Sequence, residues 1–169
     1  MATKTSLRDY QRDLSARLQG AGAGQVASKL GMQVAGERWL VDLTEAGEVI
    51  PVPSVSPVPL TRAWFRGVAN IRGNLVSVVD FGAFLGHGAT AAGEQARLLL
   101  LNERFRMSSA LLVERSLGLR NPGELQARSG ASSRAPWIRA EYDDAQGAHW
   151  RELDLPQLVQ DPEFLGVGA

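Results

Sequence analysis

The apolar positions change period along the chain, and that change divides it in two. Over residues 5–19, Leu7, Tyr10, Leu14 and Leu18 fall on one stripe, with Arg8, Asp9, Arg12, Asp13 and Arg17 around the rest, which predicts an amphipathic helix. Thr5 or Ser6 is placed to cap its first turn. The run Gly20-Ala21-Gly22-Ala23-Gly24 ends that helix as a flexible joint. Residues 1–30 therefore read as a helix and joint, and 31–169 as one domain in which the period falls to 2.

In that domain the alternation predicts short strands. Met32 to Thr44 reads as a hairpin turning near Ala35-Gly36-Glu37, with Trp39, Val41 and Leu43 on one face of its second strand. Gly47 to Val52 is a further strand. Pro51 to Pro59 carries four prolines and reads as an irregular connection, because proline cannot donate to a sheet ladder. Gly67 to Ile71 and Asn74 to Val79 form a second hairpin around Arg72-Gly73-Asn74, whose Gly and Asn tolerate positive φ. A helical turn over Phe81 to Leu85 and the loop Gly86-His87-Gly88-Ala89 follow. Arg97 to Asn102 pairs with Met107 to Val113, and Ser116 to Leu119 adds a short strand. Asn121 to Pro136 reads as a long loop. Ile138 to Tyr142 and His149 to Leu153 are joined across Asp144-Ala145-Gln146-Gly147. Asp154, with Gln157 three residues on, starts a closing helix. Nine or ten short strands with helices mainly at the two ends predict an all-β barrel or sandwich, and periodicity alone does not separate one sandwich from two small barrels.

Composition narrows the function. Charge balances at 18 basic against 18 acidic residues, without the basic excess that phosphate neutralisation favours. The absence of cysteine excludes disulfides, thiolate metal sites and cysteine nucleophiles. The N-terminus has no apolar signal-peptide core, and no apolar run approaches the roughly 20 residues of a membrane span. A cytoplasmic protein with no direct membrane insertion is expected. The two histidines, His87 and His149, have no second ligand at metal spacing and read as surface residues, so neither a metal nor another cofactor is expected. Gly22 to Ala27 fits a permissive dinucleotide fingerprint, but a predicted helix precedes it where a strand is needed, so it reads as linker. No P-loop and no Gly-x-Ser-x-Gly occur, and Asp143-Asp144 lies in a predicted turn, so no enzyme is expected.

What stands out is Arg66-Gly67-Val68-Ala69-Asn70-Ile71-Arg72-Gly73-Asn74. An arginine at a tight hairpin is held by its backbone, and a fixed guanidinium can bind a carboxylate or carbonyl of a partner, or tie one part of the domain to another.

The same segment, with Leu75-Val76-Ser77-Val78-Val79-Asp80, resembles the central motif of CheW-like domains, Gly-Val-x-Asn-hydrophobic-Arg-Gly followed by apolar residues and aspartate. Glu37 to Leu43 and Glu48-Val49-Ile50 resemble the family's first hairpin and Glu-hydrophobic segment. Leu98 to Asn102, Leu111 to Glu114, Ile138 and Leu153-Asp154-Leu155 resemble its second half. The likeness covers about residues 31 to 160. It implies an all-β fold with terminal helices, in which two pseudo-symmetric, five-stranded SH3-like barrels share a core. It implies a non-catalytic adaptor that couples the cytoplasmic tip of methyl-accepting chemoreceptors to the regulatory domain of a CheA-type histidine kinase. A cytoplasmic location at membrane-associated receptor arrays goes with that role. On matching positions, Asn70, Arg72 and Gly73 fall at the receptor groove, and Glu48 and Val49 at the kinase-facing surface. The N-terminal extension and divergent second half look most like PilI-type adaptors of twitching motility and type IV pili. Ser77 stands where the family usually has proline, and Glu114 where it has aspartate. The alternative from another class is a small β-barrel nucleic-acid binder, with Trp64, Phe65, Trp137 and Trp150 as stacking candidates, though Trp39 and Trp150 read better as core.

Overall fold

A computed structural model describes residues 28–130 and 135–169. The helix expected over 5–19 and the joint at 20–24 lie outside the described residues. Among those described, the strands are β1 (Lys29–Val34), β2 (Glu37–Asp42), β3 (Ala46–Pro51), β4 (Phe65–Ile71), β5 (Asn74–Asp80), β6 (Arg97–Leu101), β7 (Ser109–Val113), β8 (Arg115–Arg120), β9 (Leu125–Ala127), β10 (Ile138–Asp144) and β11 (His149–Leu153). The α-helices are single turns, α1 (Phe81–Phe84), α2 (Leu155–Leu158) and α3 (Pro162–Leu165).

The strands form two mixed sheets, ordered β8-β1-β2-β11-β10-β9 and β3-β6-β7-β5-β4. Each is closed by one stretch of chain that pairs with both flanks. In the first sheet, β8 pairs with β1, turns at Pro122–Glu124 under an Asn121 cap, and continues as β9 against β10. In the second, β3 pairs with β6, and Ser56 then exchanges two backbone hydrogen bonds with Val68 of β4, at 2.8 and 2.9 Å. Counting each closing stretch as one bent strand gives two five-stranded SH3-like barrels. One is terminal, built from both ends of the described chain; the other, β3 to β7, is central. The proline-rich connection thus does more than link strands: Ser56 lies between Val55 and Pro57 and keeps the N–H that proline lacks. The loop expected over Asn121 to Pro136 likewise contains β9, which exists because β10 offers it an edge.

The barrels match part for part. Each carries one parallel pair, β2 with β11 and β5 with β7. In each barrel one strand of the parallel pair, β5 or β11, runs into an aspartate that caps a helical turn: Asp80 accepts from Ala83 N and Asp154 from Gln157 N, both at 3.1 Å. Asp80 N donates to Trp64 O and Asp154 N to Trp137 O. The bulged residue of each preceding strand, Arg66 or Arg139, reaches the same aspartate at 3.1 or 3.3 Å. Trp64-Phe65-Arg66 and Trp137-Ile138-Arg139 are therefore equivalent.

Between the barrels lies the main core, where Met32, Val34, Trp39 and Val41 meet Val79, Phe81, Leu99, Leu111 and Val113. Burying these aliphatic and aromatic side chains supplies the main drive to pair the barrels, at about 1.5–3 kcal/mol for each fully buried large residue. Leu43, expected on the face of Trp39 and Val41, is 39% exposed. The strand ends at Asp42, where Thr44 N and Oγ1 both donate to Asp42 Oδ1 and turn the chain away.

Candidate protein-interaction site

The β4–β5 hairpin turns on two residues, Arg72 (φ 52°) and Gly73 (φ 83°), with Ile71 opposite Asn74. Positive φ at both central residues suits the right-handed twist of the strands. Asn74 opens β5, where the alternation begins that strand. Asn70 Oδ1 accepts from Gly73 N at 2.9 Å and braces the tip. Arg72 is held there, far along the hairpin from the core.

Its partner is Glu48. The guanidinium donates to both carboxylate oxygens, at 2.7 and 2.5 Å, in a bidentate pair. β3 and β4 are opposite ends of their sheet order, so barrel closure brings these two residues together. The hydrogen bonds from Arg72 hold the Glu48 carboxyl below its ordinary range, and Glu48 raises the Arg72 guanidinium above its own. Both side chains are exposed, 69% for Arg72 and 44% for Glu48. Exposed pairs contribute little to stability, about 0–1 kcal/mol, so the pair's consequence is a fixed display of both charges.

The pair borders a cleft of about 790 Å³ whose apolar lining includes Ile71, Val76, Leu100 and Met107, with Glu103 and Arg106 also on its wall. Leu75, beside the tip, is 66% exposed. Asn70, Arg72, Gly73 and Glu48 therefore lie together at one end of the central barrel. Val49 does not join them: it stands opposite Leu99 and packs against the inter-barrel core.

The remaining candidates sit elsewhere. His87 approaches Glu37 at 3.7 Å, and His149 lies among Arg128, Glu141 and Asp143. Of the aromatic residues a nucleic-acid binder would stack on bases, Trp64 and Trp150 are buried and Phe65 and Trp137 half-buried. Trp64 is spent on Phe84 and Phe164, and Trp137 on Trp39, Phe81 and Phe84. Among the described residues no helix is long and apolar enough to cross a membrane.

Sequence reasoning passed over an ion network around Arg139, which reaches Glu45, Glu152 and Asp154 at 2.5, 3.4 and 3.3 Å. Burial disfavours its charge, but the hydrogen bonds it donates to Glu45 and Asp154 prevail and raise its pKa. The repeated Trp-x-Arg was the signal that could have placed Arg139 beside Arg66.

Two small barrels joined through a shared core, with a rigid charged hairpin over an open cleft, define a protein-interaction module. The chain belongs to the CheW-like domain family, which it matches over residues 29–163. Over 99 residues it is 30% identical to Protein PilI of Pseudomonas aeruginosa, covering 59% of this chain and 55% of PilI. The matched region thus spans about half the length of that relative. Its fold is similar to the crystal structure of the scaffolding protein TtCheW from Thermoanaerobacter tengcongensis, with TM-score 0.65 and 15% identity over 78% of this chain and 90% of that one.

Proposed function

We propose that the protein is a non-catalytic adaptor of a two-component chemosensory system, coupling methyl-accepting chemoreceptors to the regulatory domain of a CheA-type histidine kinase. The likeness to PilI supports a pathway controlling type IV pili and twitching motility. The observation that carries the reading is the Glu48–Arg72 pair, exposed, bidentate and fixed on a braced hairpin beside an open cleft of mixed polar and apolar lining. A pair that adds little to the fold but holds two charges in place is suited to recognising a partner. In this reading Asn70, Arg72 and Gly73 form the receptor side of the surface and Glu48 the kinase side, with Val49 supporting Glu48 from the core. The protein works in the cytoplasm and reaches the membrane through receptor arrays.

Calorimetric titration with the regulatory domain of the organism's own CheA-type kinase tests this. Saturable one-to-one binding is expected, with affinity lowered at least about tenfold by Glu48→Arg, a loss of roughly 1.4 kcal/mol. No binding at high micromolar concentration, with both proteins folded, would remove the kinase from the proposal.

A further inference from the structure

The equivalence of the barrels allows their interiors to be compared residue by residue. Counting back from the capping aspartates, Val78 of the central barrel corresponds to Glu152 of the terminal one. Val78 stands opposite Ala110, and Leu98 opposite Leu112. In the terminal barrel Glu152 stands opposite Leu40, and Lys29 opposite Asp42. Leu98, Leu112 and Val78, three members of one buried apolar cluster, are thus replaced by Lys29, Asp42 and Glu152.

The three charges form a triad. Lys29 Nζ lies 2.6 Å from Glu152 Oε1 and 4.0 Å from Asp42 Oδ2, and the side-chain exposures are 12, 2 and 17% for Lys29, Glu152 and Asp42. Glu152 Oε2 accepts from the Tyr142 hydroxyl at 2.8 Å, and Arg139 Nη1 stands 3.4 Å from Glu152 Oε1 as a second cation at the edge of the triad. Ala69 and Val76, small and packed in the central barrel, correspond to Tyr142 and Trp150, and the guanidinium groups of Arg38 and Arg120 lie over the Trp150 ring, 5.8 and 5.1 Å from its centroid. At these positions one barrel carries aliphatic groups and the other charges and rings.

A buried ion pair must recover the cost of removing both charges from water, and well-packed apolar residues of similar volume often hold a fold together better. The central barrel carries that apolar solution at the same three positions. We infer that the terminal barrel opens locally as a unit while the central barrel stays closed, and that the Lys29–Asp42–Glu152 triad sets this difference. The central barrel is then the rigid frame and the terminal barrel the adjustable half, whose open or closed form a partner can select. This holds whatever partner the Glu48–Arg72 surface takes.

Native-state amide hydrogen exchange on the full chain tests it. Amides of β1, β2 and β11 are expected to exchange at least about tenfold faster than those of β5, β6 and β7. The variant Lys29→Leu/Asp42→Leu/Glu152→Val copies the central barrel's residues into the terminal one. It should slow β1, β2 and β11 by about tenfold to a few hundredfold and leave β5 to β7 unchanged. Lys29→Met, which leaves Glu152 without its lysine, should speed exchange in the terminal barrel alone. Uniform exchange in the wild type overturns the inference whether or not the triple variant folds. So does a folded triple variant with unchanged rates, or a Lys29→Met variant that speeds both barrels equally.

Discussion

At Gly67 the backbone φ is 134°, and a Cβ built there would lie 2.0 Å from the carbonyl oxygen of Ser56. That oxygen takes the Val68 N–H in the bridge that closes the central barrel, so a side chain and the bridge cannot coexist. Gly67→Ala is expected to cost about 2–4 kcal/mol, measured by urea denaturation. Asp80 is buried and accepts from Arg66 Nε, Ala83 N, Thr90 N and Thr90 Oγ1. Its removal strands the guanidinium of Arg66 and uncaps α1 together. Asp80→Ala should destabilise by about 3–5 kcal/mol in the same assay. Arg72→Glu should instead leave stability within about 0.5 kcal/mol, because the side chain is exposed and covers no core. Loss of folding in that variant would make Arg72 structural. These contrasts were only partly legible: Gly67 and Asp80 stood out as motif residues, but Ser56 and Thr90 become their partners only once the irregular segments on either side fold back.

Hairpins are the elements most open to sequence reasoning. Ala35-Gly36 and Arg72-Gly73 announce their turns through the glycine, which takes positive φ without strain, and the flanking alternation sets the register. β9 and the Ser56 bridge were missed because their strand character is lent by a partner strand and has no alternation of its own. The β10–β11 hairpin hides another such effect. Burial raises the Tyr142 pKa, and its hydrogen bond to the Glu152 carboxylate raises it further, to about 12 from an ordinary 10.0. A folded-state pKa above the unfolded value means a contribution fully present below pH about 10 and lost as pH rises towards 12. Tyr142 and Tyr10 are the chain's two tyrosines. An absorbance titration of the native protein should therefore show a late tyrosinate phase that Tyr142→Phe abolishes, and the hairpin should loosen over the same pH range. A late phase that survives in Tyr142→Phe would assign the shift to Tyr10 instead.

For the molecule as a whole, the decisive contact is between the barrels. Trp39 is fully buried there, edge-on to Phe81 and tilted against Trp137. Trp39→Ala removes contacts to both barrels and should cost about 3–5 kcal/mol, read as a lowered denaturation midpoint. Most of the strands, the main turns and the capping Asp154 were determined by the sequence itself, because period, turn chemistry and capping are local properties. So was membership of the family, through the motif from Gly67 to Gly73. Three things were decided only by tertiary structure. Closure of the central barrel turned Arg72 and Glu48, placed by resemblance on two surfaces, into one bidentate pair. Packing of the barrels turned Val49 inward beside that pair. Alignment of the two interiors set Lys29, Asp42 and Glu152 where the other barrel holds leucine and valine. Each joins positions distant in sequence, and such contacts depend on strand order and register, which no short stretch of residues contains.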